Sequence, residues 1–195
     1  MTRAPQKRRL ETRAKLLAVA AAIVQEQGYS GLRVEDVVAR AGVAKGTLFS
    51  HFKDKDGLLA VLIGDQVMRL LDDMAAAPPP DTLEALIARL EPLLEYIAAD
   101  RVIFDLLLRY SGSTGAETNA VVTQGIHRQI DIWAGWIAPL QAAGRLRAGP
   151  PPELLAEGIQ AFLYQVLAVW FCSGSPQQDS PRAALTPFLQ AWLLT

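Results

Sequence analysis

The apolar positions of this chain recur at helical spacing almost throughout, and no segment shows the sustained alternation typical of a strand. Apolar stripes predict a first helix over residues 7–27, ended by Gly28, and a fourth over about 55–76. Further stripes predict a fifth helix that starts after Asp81 or Thr82, and four more at about 102–110, 117–143, 153–171 and 181–194. Polar breaks are expected at 111–115 and 173–180. The predicted fold class is all-α.

Two short helices are predicted between the first and the fourth, in the segment from Val34 to Lys55. Apolar residues at helical spacing end at Gly42, where a left-handed turn costs glycine little. Leu48 and Phe52 then continue an inward face, while residues 45–47 and 49–51 lie on or near the opposite one. This pattern is typical of a helix-turn-helix, whose second helix presents its N-terminal residues to base edges in the DNA major groove.

The charge distribution agrees with a DNA-binding N-terminal part. Residues 1–57 hold eleven Lys and Arg against six Asp and Glu, whereas residues 58–195 hold eight Arg, no Lys and fourteen acids. A basic head on an acidic body would give this asymmetry, although chance clustering of surface charge would give it too. We therefore predict a DNA-binding domain over 1–57 and a second helical domain over 58–195.

The last two predicted helices are apolar on more than one face, with Leu154, Phe162 and Val169 in one and Phe188 and Trp192 in the other. A helix that is apolar nearly all round must be buried on several sides. The partner is either the interior of the same chain or a second copy, and a second copy would give a homodimer with a four-helix interface.

The remaining composition narrows the class of protein. Cys172 is the single cysteine, and its apolar neighbours predict an inert, packed thiol. The chain begins without the apolar run of a secretory signal, and no stretch reaches about 18 uninterrupted apolar residues, so we expect a cytoplasmic protein without a membrane span. We also expect no enzyme, metal or cofactor, since two histidines and no nucleophile–base set leave little basis for catalysis.

Several motifs in the first 60 residues resemble the TetR family of transcriptional regulators. They are Ala41-Gly42-Val43, Lys45-Gly46-Thr47-Leu48-Phe49, His51-Phe52 and Lys55-Asp56-Gly57-Leu58, preceded by Gly28-Tyr29. The resemblance implies an all-helical homodimer with an N-terminal DNA-binding domain of three helices. It also implies a C-terminal domain that usually binds a small-molecule effector and then releases the operator.

Carried over residue by residue, the resemblance assigns Lys45, Gly46 and Thr47 to base edges. A lysine can donate to guanine O6 and N7, and a threonine methyl can touch thymine. His51 and Lys55 match positions that hold the phosphate backbone, although a helix cap and a solvated lysine are the alternatives. The complete set of DNA-binding candidates is Arg33, Lys45, Gly46, Thr47, Phe49, Ser50, His51 and Lys55.

Three residues depart from the family pattern. Arg33 stands where Ser or Thr commonly caps a helix, so a cap is lost and a possible phosphate donor is gained. Ala44 removes another capping oxygen, and Phe49 lacks the hydroxyl of a frequent Tyr that touches phosphate. The helix-turn-helix geometry is therefore expected to carry over more fully than the individual contacts.

The C-terminal half offers aromatic and aliphatic walls with a few polar groups, which suits a largely hydrophobic effector. Aromatic residues at helical spacing are also typical of an ordinary core. The ligand-binding candidates are Phe104, Leu108, Tyr110, Gln124, His127, Trp133, Trp136, Phe162, Tyr164 and Trp170, and further polar candidates include Arg128 and Gln165.

The most plausible function from sequence is a repressor that an effector releases from double-stranded operator DNA. Binding would change the separation of the two heads, transmitted through the fourth helix, with coupling concentrated at Pro78–Pro80. A structural DNA-binding factor without an effector and a transcriptional activator are the alternatives.

Overall fold

The computed structural model describes residues 3–111, 119–172 and 180–194. Within these ranges the chain forms nine helices and no strand, so the all-α prediction is confirmed. The helices are α1 (Arg3–Gly31), α2 (Val34–Ala41), α3 (Lys45–Phe52), α4 (Lys55–Ala76), α5 (Leu83–Ala98), α6 (Arg101–Tyr110), α7 (Ala120–Ala142), α8 (Pro152–Cys172) and α9 (Pro181–Leu194). The predicted polar breaks, and the predicted start of the seventh helix at Glu117, lie almost wholly outside the described residues.

The chain divides into two compact units, Met1–Gly64 and Asp65–Thr195. The boundary lies inside α4, so this helix begins in the N-terminal unit and ends in the C-terminal one. These units are structural, and the assignment of DNA binding to residues 1–57 and of sensing to residues 58–195 stays a prediction.

The N-terminal unit is built on a small apolar core to which each short helix contributes. Leu16 and Ile23 of α1, Val37 of α2 and Leu48 of α3 are all completely buried. Gly28 interrupts α1 with φ 75° and ψ 171°, a conformation that suits glycine, and this confirms the predicted stop. Because α2 and α3 have eight residues each, their stability comes from this packing more than from helix propensity.

The C-terminal unit is a bundle in which α8 packs against α5, α7 and α9. Thr82 caps α5 by accepting a hydrogen bond from the N–H of Ala85 at 3.1 Å. Of the two predicted starts, after Asp81 or after Thr82, the second is the one observed. Arg182 of α9 donates to Glu91 at 2.8 Å and to Glu84 at 2.6 Å, both on α5. The bundle is thus fixed by apolar packing and by an ion-pair fork between its fifth and ninth helices.

Helix α8 alone among the described helices is long and apolar enough to cross a membrane by length and composition, and 39% of its most apolar window is buried in the protein. It packs against three neighbouring helices, α5, α7 and α9. At its C-terminal end Val169 is 51% exposed and Cys172 is exposed as well. The predicted packed thiol is therefore wrong, because Cys172 is exposed at the last position of α8, although its neighbours Trp170 and Phe171 are half-buried.

Candidate nucleic-acid interface and effector cleft

The turn between α2 and α3 has the geometry that the sequence predicts. Gly42 adopts the left-handed conformation with φ 63° and ψ 40°, and its N–H donates to the carbonyl of Ala39 at 3.2 Å. The next N–H, that of Val43, donates to Val38 at 3.1 Å. These two bonds satisfy carbonyls at the end of α2 and allow α3 to start three residues later.

Helix α3 separates a buried side from an exposed side. Leu48 and Phe52 are buried, whereas the exposed residues on this helix are Lys45, Gly46, Phe49 and Ser50. Thr47 and His51 are half-buried, and the Ser50 hydroxyl donates to the carbonyl of Thr47 at 2.8 Å. The six candidates on this helix are therefore at least partly accessible to a partner.

Both short helices begin without a side-chain cap. Arg33 and Ala44 have extended backbones at the cap positions of α2 and α3, and neither side chain accepts a hydrogen bond there. Ala44 has no oxygen to offer, and the Arg33 guanidinium is a donor without an acceptor atom. Arg33 remains exposed beside the first turn of α2.

Lys45, the leading base-contact candidate, is held by a carboxylate of the same unit. Its Nζ lies 2.6 Å from Oε1 of Glu35 on α2 and 5.8 Å from the centre of the Phe49 ring. The hydrogen bond from Lys45 lowers the pKa of Glu35 below its ordinary value. Glu35 is not among the sequence candidates, because the pair depends on the angle at which α2 and α3 meet.

Arg13 of α1 supports the end of α3. Its guanidinium donates to the carbonyl of His51 at 3.0 Å and lies 4.4 Å from the centre of the Phe52 ring. A cation at a helix C-terminus interacts favourably with the carbonyls there. Burial lowers the pKa of His51, and the charges of Arg9 and Arg13 lower it further. Neither arginine was among the sequence candidates.

The connection from α3 to α4 explains the spacing of the Lys-Asp-Gly-Leu motif. Asp54 accepts a hydrogen bond from the N–H of Gly57 at 2.7 Å and so caps the first turn of α4. A Cβ on Gly57 would collide with the carbonyl oxygen of Phe52, so the close approach of these two turns requires glycine. Lys55, the candidate for a phosphate contact, is half-buried at the start of α4.

The ten ligand-binding candidates fall into three classes. Four are buried, namely Phe104, Tyr110, Trp133 and Trp136. Four are half-buried, namely Leu108, Phe162, Tyr164 and Trp170, and two are exposed, namely Gln124 and His127. The structure brings Tyr164 to a cleft between helices and Phe162 to an aromatic patch on α8 and α9.

The cleft lies between the end of α6, α7 and α8 and has a volume of about 310 Å³. Its lining residues are Ser111, Ile126, Ile130, Glu157, Gln160, Ala161 and Tyr164. Gln160 is 7% exposed, and its Oε1 has no hydrogen-bond partner among the described residues. Burial raises the pKa of Tyr164, while a hydrogen bond from Gln160 opposes that shift. Gln165 is among the sequence candidates, whereas Gln160 is not.

The aromatic patch combines Phe162 of α8 with Phe188 and Trp192 of α9. Phe162 stacks on Phe188 at 5.4 Å between ring centres and meets Trp192 edge-on at 5.9 Å. Trp192 donates from Nε1 to the carbonyl of Leu155 at 3.1 Å. A Cβ on Gly158 would collide with the Trp192 ring, so the ring can pack against α8 at this position only because residue 158 is glycine.

Helix α7 links the cleft to α4. Arg128 of α7 donates to Asp72 of α4 at 2.5 Å, and Ile126 and Ile130, two positions on either side of it, line the cleft. One turn earlier, a Cβ on Gly125 would contact Val67 of α4 at 3.6 Å. The same helix therefore contributes to a cleft wall and contacts α4.

Comparison with known proteins agrees with this architecture. Residues 16–62 match the family model described as bacterial regulatory proteins, tetR family. The chain is 28% identical over 147 residues, 68% of each chain, to the HTH-type transcriptional regulator CymR of Pseudomonas putida. It is 26% identical over 161 residues, 76% of this chain and 77% of the relative, to the HTH-type transcriptional repressor DhaR of Mycobacterium sp. strain GP1.

A solved structure extends the similarity over nearly the whole chain. The TetR-family transcriptional regulator from Pectobacterium atrosepticum superposes with a TM-score of 0.62 at 26% identity, covering 98% of this chain and 93% of that one. The matched segment contains α2, α3 and the turn between them, with Lys45 and Thr47 on the accessible side. The chain therefore belongs to the TetR family and is a DNA-binding transcriptional regulator with a helix-turn-helix.

Proposed function

We propose that this protein is a cytoplasmic repressor that binds a palindromic operator as a homodimer and leaves it when a small molecule binds the C-terminal unit. Repression is supported by DhaR, a relative that carries the name of a transcriptional repressor. The effector is supported by the cleft of about 310 Å³ beside α7, a size within the range of small-molecule sites.

The observation that carries DNA recognition is the accessible side of α3. Lys45, Gly46 and Thr47 occupy its first turn, the part of a recognition helix that reaches base edges. Phe49 and Ser50 extend the same accessible surface, and His51, Lys55 and Arg33 supply donors to phosphate at its margins. In this proposal the first turn of α3 distinguishes base pairs, and the phosphate contacts around it fix the position of the protein on the DNA.

Homodimer formation is supported by the surface of α8 and α9. Four large apolar side chains there are strongly exposed, at 44–55% for Phe188, Leu154, Val169 and Leu194. Together with the aromatic patch they give two adjacent helices a surface that water solvates poorly. The same pair of helices from a second copy would cover it in a four-helix interface with two-fold symmetry.

Coupling between effector and operator would run from α7 to α4. A molecule in the cleft touches the α7 side chains Ile126 and Ile130, and Arg128 between them holds Asp72 of α4. Displacement of α7 then moves α4, which begins in the unit that holds α3. The effector would thereby favour a head separation that does not match one turn of B-DNA. The predicted role of Pro78–Pro80 in this coupling stays a prediction.

Footprinting on DNA upstream of its own coding sequence tests the operator, and anisotropy titrations on the protected and a scrambled sequence test the residues. Lys45→Ala should reduce the ratio of operator to scrambled affinity more than Lys55→Ala does, because a base contact reads sequence and a phosphate contact does not. Equal losses on both DNAs for both variants would contradict the assignment. Many dispersed sites in place of one palindrome would instead favour a structural DNA-binding role.

A further inference from the structure

The cleft between the end of α6, α7 and α8 has a polar pair beside apolar side chains. Gln160 and Tyr164 stand one turn apart on α8, and a hydrogen bond joins the Gln160 side chain to the Tyr164 oxygen. Ile126, Ile130 and Ala161 supply the apolar wall. A pocket of this kind orients its ligand through a few polar groups while apolar contact supplies affinity.

The hydrogen-bonding capacity of this pair is only partly used. A carboxamide has two donors on nitrogen and an acceptor oxygen, and a phenol both donates and accepts. The Gln160 oxygen has no partner among the described residues, so the amide nitrogen makes the bond to the Tyr164 oxygen. Within the described part of the chain, that leaves the Gln160 oxygen as an acceptor and the Tyr164 O–H as a donor. A buried acceptor without a partner is unfavourable, and a ligand that donates to it would remove that cost.

The charges at the cleft narrow the ligand further. Glu157 is an exposed carboxylate at the cleft, and the described lining residues include no Lys or Arg. An anionic ligand would meet this carboxylate and the Gln160 oxygen without a cation to pair with. A neutral molecule that carries one hydroxyl on an apolar body satisfies both the donor and the acceptor of the pair.

We propose that the effector site is this cleft and that it selects a neutral, hydroxyl-bearing hydrophobic compound, such as a phenol, through Gln160 and Tyr164. The ligand hydroxyl donates to the Gln160 oxygen and accepts from Tyr164, while its apolar body packs on Ile126 and Ile130. This inference rests on the proposed effector-released repressor and adds the chemical class of its ligand.

Calorimetry with three matched probes tests the selectivity on the full-length protein without DNA. The probes are 2-naphthol, 2-methoxynaphthalene, which lacks the donor, and 2-naphthoate, which is an anion. We expect 2-naphthol to bind about tenfold more tightly than either of the others, since each leaves the Gln160 oxygen unpaired. Equal affinity for 2-methoxynaphthalene, tighter binding of 2-naphthoate, or no saturable binding of 2-naphthol would overturn the proposal.

Variants locate the selectivity. Gln160→Met keeps the side-chain length, removes the carboxamide and should make 2-naphthol and 2-methoxynaphthalene bind alike. Gln165→Met, an exposed position on the same helix, is the matched control and should keep the tenfold preference. Tyr164→Phe should lose part of the preference for 2-naphthol over 2-methoxynaphthalene. This variant replaces Gln160→Met in the test if thermal unfolding shows that Gln160→Met does not fold. If both cleft variants keep the full preference for 2-naphthol, the assignment of the ligand site to this cleft is wrong.

Operator release separates this inference from the function on which it rests. If 2-naphthol binds with the expected preference but leaves the anisotropy of bound operator DNA unchanged, the site stands and the effector mechanism fails. If the operator is bound and 2-naphthol shows no preference, the DNA-binding function stands and the ligand class is wrong.

Discussion

The ammonium of Lys45 lies 2.6 Å from a carboxylate oxygen of Glu35, so a base-contact candidate is already paired within the protein. The Glu35 carboxylate accepts one of the three N–H donors of Lys45 and competes with DNA for this ammonium. Both side chains are more than half exposed, at 53% and 67%, so the pair itself adds little to stability. Its effect should therefore appear in DNA binding.

We expect Glu35→Gln to raise affinity for scrambled DNA several-fold and to lower the ratio of operator to scrambled affinity. The reason is that Lys45 becomes available to any phosphate and a negative charge leaves the interface. Glu26→Gln is the matched control, because Glu26 is an exposed carboxylate paired at 2.8 Å with Arg40 of α2, which is not among the DNA-binding candidates. Equal changes for both variants in anisotropy titrations would assign the effect to net charge alone.

Gly57→Ala and Gly46→Ala should change the unfolding free energy in opposite directions. Gly57→Ala places a Cβ against the Phe52 carbonyl and should lower the unfolding free energy by about 1–3 kcal/mol. A Cβ on Gly46 meets no described atom within 4 Å, so Gly46→Ala should raise it by up to about 1 kcal/mol through helix propensity. Thermal unfolding distinguishes the two. Gly46→Ala should nevertheless weaken operator binding, and unchanged affinity would exclude close approach of DNA there.

Operator affinity should rise as the pH falls from about 8 to 6, because His51 gains a proton on binding. Its pKa is lowered in the free protein by burial and by Arg9 and Arg13, and a DNA phosphate would raise it. The complex then binds more protons than the free protein, so acid favours the complex. Anisotropy at constant ionic strength measures this, and His51→Gln should flatten the profile while His127→Gln, at the other and exposed histidine, should not.

The same shift has a definite sign for stability. The pKa of folded His51 lies below that of the unfolded chain, so the unfolded chain takes up the proton first as the pH falls. The contribution of His51 to the unfolding free energy is therefore present above about pH 6.5 and is lost as the pH falls below it. A stability contribution that grows on acidification and disappears in His51→Gln would contradict the environment described for this imidazole.

Gly158→Ala should weaken the homodimer. Its Cβ would displace the Trp192 ring, break the hydrogen bond from Nε1 to Leu155 and unstack the aromatic patch. We expect the dimer dissociation constant from sedimentation equilibrium to rise at least about tenfold. Gly135→Ala on α7, where a Cβ meets no described atom within 4 Å, should leave it unchanged. An equal dimer dissociation constant for Gly158→Ala and Gly135→Ala would show that the aromatic patch does not take part in dimer formation.

The helix bounds were predictable because local signals set them. Gly42 ends α2, Lys55 begins α4 and Pro181 begins α9, each at the residue that the sequence suggested. A left-handed glycine or a first-turn proline acts within one turn of chain, so no tertiary information is needed.

The contacts were less predictable because they depend on how helices pack. Glu35 reaches Lys45 only through the angle between α2 and α3. Gln160 and Gln165 are both glutamines on α8, yet the first is buried and the second exposed, since five residues rotate the side chain to another face. The residue type alone makes either glutamine a candidate for a ligand contact. Only the packing of α7 on α8 distinguishes Gln160, which is buried at the cleft, from Gln165, which is exposed.

The missing side-chain caps of α2 and α3 have a thermodynamic consequence. A capping oxygen contributes about 0.5–2 kcal/mol, and neither Arg33 nor Ala44 provides one in the described structure. No capping side chain accepts from the N–H groups at the start of these two helices, and the dipoles there favour an anion. A bound phosphate would satisfy them, and a ligand that binds only the folded state stabilises it by mass action. In these terms we expect operator DNA to add to the free energy of unfolding of the N-terminal unit.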